Sequence, residues 1–280
     1  MRRLAIVALV TIACGAVTAH AQTLTLAYSK GATYHYTLHT TSDFSIVAGA
    51  VTSPVKSDMK ANETVTVDSV DSSGVASVSV TVTNVSLTST VNIGNGLTTS
   101  TTTIPALPPV SLKMTPDGRI VSVNGVTIPG NLMSGIGVGG NIASAVLPDK
   151  AVKPGDTWTK TYDDASPGGG GSIHVTATST YLRDESFHGV QAAVVETAST
   201  TTINLDSKRA TPTSTVGLKA TETSDATSWI DPGSHRLLKT LMTSSNEMTM
   251  SSGGPAAGAI PGLAGPFTLK GKQTLDLEPA

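Results

Sequence analysis

The chain has 280 residues, of which 39% are hydrophobic, 4% aromatic and 14% charged, and its formal net charge is −2. This length suits one large β domain or two small ones. The low, nearly balanced charge argues against a nucleic-acid-binding protein, which normally clusters basic residues on one face. Serine and threonine interleaved with valine, leucine and isoleucine favour pleated strands over helices.

The N-terminus predicts export. Two arginines at positions 2 and 3 precede an apolar run over residues 4–17, which is shorter than a membrane-spanning helix. The sequence Ala19-His20-Ala21 then supplies the small-x-small pattern of a cleavage site. We therefore predict a signal peptide over residues 1–21, with cleavage between Ala21 and Gln22. The mature chain would be periplasmic or extracellular and would contain no transmembrane segment.

A lipid anchor is the alternative to simple secretion. Residues 10–15 resemble a lipobox, in which Cys14 would be lipidated and become the first mature residue. Thr11 departs from that pattern, because lipoboxes favour leucine there. If the chain instead begins at Gln22, it contains no cysteine, which excludes disulfides, thiol catalysis and cysteine metal sites together.

Residues 22–126 predict a first β-unit. Its strands are expected over residues 23–29, 33–47, 55–70, 75–90, 110–114 and 119–123. Ser53-Pro54 is expected to interrupt this pattern, and turn sequences at residues 71–74, 95–96 and 115–118 predict three hairpins. In the strand over residues 33–47, Tyr34, Tyr36 and Leu38 share one face.

The strand over residues 75–90 predicts a β-bulge. Val78, Val80 and Val82 share one face, whereas Val85 has the opposite parity. Such a switch needs one extra residue, which we place near Thr83-Asn84. These strands are also long, about 12 to 16 residues against a usual 5 to 6. Long antiparallel strands twist and coil, so a curved sheet or half-barrel is expected.

Residues 127–154 form a predicted connector. Met133, Ile136, Ala143 and Leu147 have spacings compatible with one helical face, but four glycines each cost about 0.8 to 1 kcal/mol relative to alanine in a helix. A short packed helix and a Gly-rich linker both stay open. The apolar residues expected to contact a ligand, or to cover it, are Leu132, Met133, Ile136, Ile142 and Val146.

Residues 155–280 predict a second β-unit that repeats the first. Three turn landmarks, at Gly155, Gly189 and Pro232, follow Gly31, Gly74 and Pro116 in the same order, at offsets of about 115 to 125 residues. Residues 166–172 predict a hairpin loop, since strand periodicity and not a phosphate-binding helix follows them. Further strands are expected over residues 190–205, 215–230, 235–250 and 267–277, the last at a sheet edge.

The connector carries a family resemblance. Leu147-Pro148 followed by Val152-Lys153-Pro154-Gly155-Asp156-Thr157-Trp158 resembles an "LP…VxxGDxW" pattern of uncharacterised exported bacterial β proteins with a duplicated unit. The Asp231-Pro232-Gly233 turn is similar to theirs. The resemblance implies an antiparallel sheet, distantly like the half-barrels of lipoprotein carriers and lipid-binding lipoproteins. It implies no catalytic residues.

The candidate chemical groups favour binding over catalysis. His35 and His39 would lie about 13 Å apart on one strand face, too far for one metal ion. The acids at positions 156, 163 and 164 lack the spacing of a calcium loop, and Met242, Met248 and Met250 are interpreted as core or pocket residues. No catalytic motif, metal site or cofactor is predicted.

Two functions stay open. The first is a cell-envelope protein that binds an apolar ligand such as a lipid on a concave sheet face. The second is a structural or protein-interaction module whose sheet face is filled by its own side chains and whose partner would be another envelope protein. An open cavity lined by leucine, valine and methionine would favour the first and a close-packed core the second.

Overall fold

The computed structural model describes residues 21–49, 51–92, 96–127, 145–165, 171–208, 215–253 and 266–280. Within these ranges there are thirteen strands and no helix. No helix there is long and apolar enough to cross a membrane. The strands are β1 (Thr33–Ala48), β2 (Val51–Val70), β3 (Ala76–Asn92), β4 (Leu97–Ala106), β5 (Val110–Met114), β6 (Ile120–Val123), β7 (Val126–Thr127), β8 (Thr157–Ala165), β9 (Gly171–Phe187), β10 (Val190–Lys208), β11 (Thr215–Asp231), β12 (Arg236–Gly253) and β13 (Phe267–Pro279).

All thirteen strands belong to one antiparallel, curved and unclosed sheet, which confirms the predicted fold class. The order across the sheet is β7-β6-β5-β3-β2-β1-β13-β12-β11-β10-β9-β8, and β4 pairs with the far part of β3. Read across the sheet in this direction, the strands of the first half run from β7 back to β1, and those of the second half run from β13 back to β8. The division into two similar units stays a prediction.

The predicted bulge in β3 is confirmed. The β2–β3 register shifts between the pairs Lys60–Ser86 and Asn62–Thr83, so β3 contains one extra residue. Asn84 occupies that position with φ 53°, in the left-handed region that asparagine tolerates better than branched residues do. Val82 and Val85 are consequently both buried on the same face.

Three strand predictions were wrong in detail. Residues 23–29 form no strand; their backbone instead bonds to turns, with Leu26 N–H donating to the Pro116 carbonyl at 2.7 Å. Pro54 lies inside β2, beyond the last β2–β3 pair, where a proline sacrifices no ladder bond to β3. β13 lies in the middle of the sheet, between β1 and β12, and not at an edge.

The main core lies on the concave face, at the end of the strands that carries the turns at residues 71–74, 115–118 and 232–235. Tyr36 and Leu38 of β1 point into this core, as predicted from their alternation. Leu277, Leu112 and Ile120 join them from three other strands, each 1% exposed or less. We call this end of the concave face the core end and the opposite end the far end.

Candidate functional site: the concave face of the sheet

The core end is filled by the protein itself. Leu24 and Leu26, from the segment before β1, are buried against the sheet. Leu147, from the segment before β8, is buried in the same cluster. The void that remains beside Tyr28 and Tyr36 is only about 20 Å³. A space of that size holds about one water molecule, so this void is too small for a ligand.

An ion-pair cluster joins the two ends of the sheet at the core end. Lys160 of β8 donates to Asp117, in the β5–β6 turn, at 2.9 Å and to Asp149 at 2.7 Å. Arg119 also pairs with Asp117 at 2.9 Å, and its guanidinium lies 4.8 Å from the centre of the Tyr162 ring. These contacts hold the curved sheet nearly closed here although β7 and β8 do not pair.

Asp117 is held in its charged form. Burial disfavours the carboxylate, but hydrogen bonds from Thr115 and Lys160, together with the nearby Arg119 charge, outweigh burial and lower the pKa of Asp117. The group is therefore a structural anion.

Val146 is a core residue. It is 1% exposed, and its carbonyl accepts hydrogen bonds from Trp158 Nε1 at 2.8 Å and Ser179 Oγ at 2.9 Å. The other four residues predicted to contact or cover a ligand, Leu132, Met133, Ile136 and Ile142, lie outside the described residues. Their role stays a prediction.

Gln22 is anchored at the core end as well. Its backbone forms a two-way bridge with Val152, and its side-chain amide donates to the Tyr181 hydroxyl and, at 3.2 Å, to Asp184. Ala21 is exposed beside it. Cys14 lies outside the described residues, so both predicted N-termini stay predictions.

Glu63 of β2 is a buried acid that the sequence analysis missed. It faces the core between Tyr36 and Val82, is 0% exposed, and neither carboxylate oxygen has a hydrogen-bond partner. Burial raises the pKa of Glu63 to about 7. The sequence could have predicted that Glu63 faces the core, because Glu63 alternates in step with the valines at positions 65 and 67, which lie on the same side of the strand.

Beyond the core, a continuous row of polar side chains, seven serines and one glutamine, crosses the concave face. Each member is the direct cross-strand partner of the next, over eight adjacent strands. We call this row the serine belt: Ser100, Ser89, Ser57, Ser42, Gln273, Ser244, Ser224 and Ser199. Ser224 and Ser199 share a hydrogen bond of 2.7 Å, whereas Ser244, 1% exposed, has an Oγ without a partner.

The next row towards the far end contains two larger polar groups. Asn246 of β12 and Glu222 of β11 are direct cross-strand partners on the concave face. The Oδ1 atom of Asn246 is buried without a hydrogen-bond partner. Ser244 and Asn246, two residues apart on β12, thus bring two unpartnered buried oxygens to one place. Buried polar atoms of this kind are normally satisfied by water or by a bound group.

The far end of the concave face is apolar. One row of cross-strand partners crosses six strands, and a second row adds three residues beside it. We call these nine side chains the apolar band: Ile46, Leu269, Met248, Ala220, Ile203 and Ile173, then Phe267, Met250 and Leu218. All except Ile173 are only partly buried, and none belongs to the main core. At about 4.8 Å per strand the band is about 24 Å long.

The grooves described on the outer face are mostly polar. Three grooves there, of about 390, 470 and 580 Å³, are lined mainly by threonines and charged side chains that alternate with the inward-facing residues. His39 pairs with Asp58 at 3.2 Å on this face, and His174 pairs with Asp163. The described residues bring no three metal-ligating side chains together. The concave face is therefore the better candidate.

Comparison with known proteins names no family. No protein-family model and no curated protein matches the chain. Among solved structures, an outer membrane channel from Pseudomonas putida F1 is 9% identical with a TM-score of 0.21, covering 90% of this chain and 97% of that one. OccK11 of Pseudomonas aeruginosa is 8% identical with a TM-score of 0.16, covering 90% and 99%. OmpT, an outer membrane protein of Vibrio cholerae, is 8% identical with a TM-score of 0.13, covering 89% and 100%. TM-scores this low do not establish a common fold.

Proposed function

We propose that this protein is exported to the cell envelope and binds an apolar chain on the far end of its concave face. The predicted signal peptide supports export. One observation carries the binding proposal: nine aliphatic, aromatic and thioether side chains form a contiguous, partly exposed band on a curved surface. Contiguous apolar surface of this kind typically marks a binding site. We propose binding without catalysis.

The occupant is a single hydrocarbon chain lying across the strands. The band is long and narrow, about 24 Å by about 7 Å, because its rows run perpendicular to the strands and are two residues apart. Met248 and Met250 near its centre supply flexible side chains that adapt to an apolar guest. The serine belt lies between the apolar band and the core. It therefore limits how far the apolar surface extends along the strands towards the core end.

Fluorescence titration with the apolar probe N-phenyl-1-naphthylamine tests the proposal. We expect saturable binding to the wild-type protein and at least a tenfold weaker affinity for Met248→Asp, because a carboxylate in the band must be desolvated by the guest. Ser245→Asp is the matched control, since Ser245 lies on the outer face of the same strand. Equal loss in both variants, or no saturable binding by the wild type, would refute the proposal.

An edge strand favours a second candidate function, self-association. Among the described strands β4 pairs only with β3; it carries no charged residue and exposes nearly all of its side chains. An uncharged exposed edge of this length readily pairs with another strand, and a second copy of β4 would oppose threonine to threonine without charge repulsion. Sedimentation over a concentration series tests this: dimerisation that Thr101→Lys weakens would support it, and a monomer at every concentration would exclude it.

A further inference from the structure

Two aromatic rings flank the apolar band where it crosses β13. Along the concave face of β13 the successive residues are Gln273, Gly271, Leu269 and Phe267, and Gln273 belongs to the serine belt. Phe267 lies in the second row of the band, next to Leu269, and is partly exposed. The position between the belt and Leu269 is occupied by Gly271, which has no side chain.

The ring of Phe44 fills the space that Gly271 leaves. Phe44, on β1, is the cross-strand partner of Gly271. A Cβ atom on residue 271 would overlap the Phe44 ring and also the Asp43 carbonyl oxygen, so β1 approaches β13 too closely here for any side chain. A glycine inside a strand typically marks such a close approach. Phe44 is partly exposed and does not belong to the main core, so its ring is accessible to a bound molecule.

We propose that Phe44 and Phe267 set the width of the apolar site and restrict its guest to an unbranched chain. This inference rests on the proposed function, because the rings act only on a chain that lies along the band. Rows on one face of a strand are about 7 Å apart, and carbon atoms in contact are about 3.5 to 4.0 Å apart. A chain that crosses Leu269 therefore fills the row between the two rings. A methyl branch on the chain at that point would overlap one ring or force it to move.

A sixteen-carbon chain that lies along the band cannot avoid this crossing. An extended hydrocarbon advances about 1.25 Å per carbon, because bonds of about 1.5 Å meet at nearly tetrahedral angles, so sixteen carbons span about 19 Å. At about 4.8 Å per strand, that length covers five of the six strands of the band. Because β13 is the second of the six, counted from β1 to β9, every such placement includes Leu269.

Two alcohols with the same head and the same backbone length test the width. Displacement of N-phenyl-1-naphthylamine would compare hexadecan-1-ol with 3,7,11,15-tetramethylhexadecan-1-ol, which differs from it only by methyl branches. Buried area alone favours the branched alcohol, because it has more apolar surface. We expect the opposite order in the wild-type protein, with hexadecan-1-ol binding at least about tenfold more tightly, the ratio that one poorly accommodated methyl group gives.

Variants then locate the discrimination. Phe44→Ala should abolish the preference for the unbranched alcohol, since a branch then gains the space over Gly271, and Phe44→Leu and Phe267→Ala should each reduce it in part. Phe187→Ala is the matched control, because it removes the third phenylalanine of the chain, which packs against Trp229 in a separate cluster. It should leave the ratio of the two affinities unchanged. Circular dichroism would verify that each variant is folded.

The outcomes separate the two proposals. If the probe does not bind, or if neither alcohol displaces it, the proposed function is wrong and the width inference falls with it. If both alcohols displace the probe and the branched one binds equally or more tightly, the apolar band stands and the width inference is overturned. A preference that both Phe44→Ala and Phe44→Leu leave unchanged would overturn it in the same way.

Discussion

Replacing Glu63 by glutamine should remove a pH dependence of stability that the wild-type protein has. The folded state raises the pKa of Glu63 from 4.5 to about 7, because its carboxyl is fully buried without a partner. Folding therefore favours the protonated form. The contribution of Glu63 to stability is fully present below about pH 4.5 and is lost as the pH rises towards 7, above which the contribution is constant.

The magnitude follows from the shift. A pKa change from 4.5 to about 7 corresponds to about 3 kcal/mol of unfolding free energy, an order-of-magnitude value for a buried group. Glutamine has nearly the same shape and does not titrate. The difference in unfolding free energy between Glu63→Gln and wild type should therefore increase by about 3 kcal/mol between pH 4 and pH 8 in favour of the variant. Its absolute value at pH 4 also contains the cost of the buried amide.

Urea unfolding followed by tryptophan fluorescence measures this difference, since the chain contains Trp158 and Trp229. Both proteins would be compared at each half pH unit, so that every other titrating group cancels. Glu196→Gln is the control, because Glu196 is exposed on the outer face of β10 and its curve should parallel the wild type. Parallel curves for Glu63→Gln and wild type would show that Glu63 is solvated or partnered, contrary to the argument.

Substitutions at three further positions test the closure, the core and the bulge. Lys160→Met should cost about 1.5 to 3 kcal/mol of unfolding free energy, since it removes one of the two cations that pair with the partly buried Asp117; a cost no larger than that of Lys270→Met, in an exposed pair, would contradict this. Leu147→Ala should cost about 2 to 5 kcal/mol by urea unfolding, and a smaller loss would mean that residue 147 is loosely packed. At position 84, with φ 53°, glycine should be tolerated and valine should cost about 1 to 2 kcal/mol in thermal unfolding; equal effects would argue against the bulge.

Local features of this fold were predictable because they depend on neighbours in sequence. The parity switch between Val82 and Val85 predicted a bulge near Thr83-Asn84, and the structure has it at Asn84. The Asp71–Gly74 turn was equally local: the Asp71 carboxylate accepts from the Ser73 and Val75 amides, and Gly74 has φ 83°. Such turns are specified within four or five residues.

A curved sheet was predicted, but the rows of side chains on its concave face were not predictable, because they depend on the register between distant strands. Ser42 and Gln273 are cross-strand partners although 231 residues separate them, and no local pattern specifies that pairing. The inward parity of each serine was visible, but its alignment with the next was not. Residues 23–29 were mistaken for a strand for a related reason. Alternating residues can be buried in a strand or in an extended segment that belongs to no sheet. Here Leu24 and Leu26 are buried in such a segment, which lies against the core without joining a β-ladder.

Native mass spectrometry of the full protein, purified without detergent from the cells that produce it, tests the central claim most directly. Binding of an apolar chain on the concave face predicts a stoichiometric adduct, which solvent extraction releases and which Met248→Asp fails to retain while Ser245→Asp retains it. A bare polypeptide mass in repeated preparations would contradict the claim. Self-association through β4 would then be the function to test.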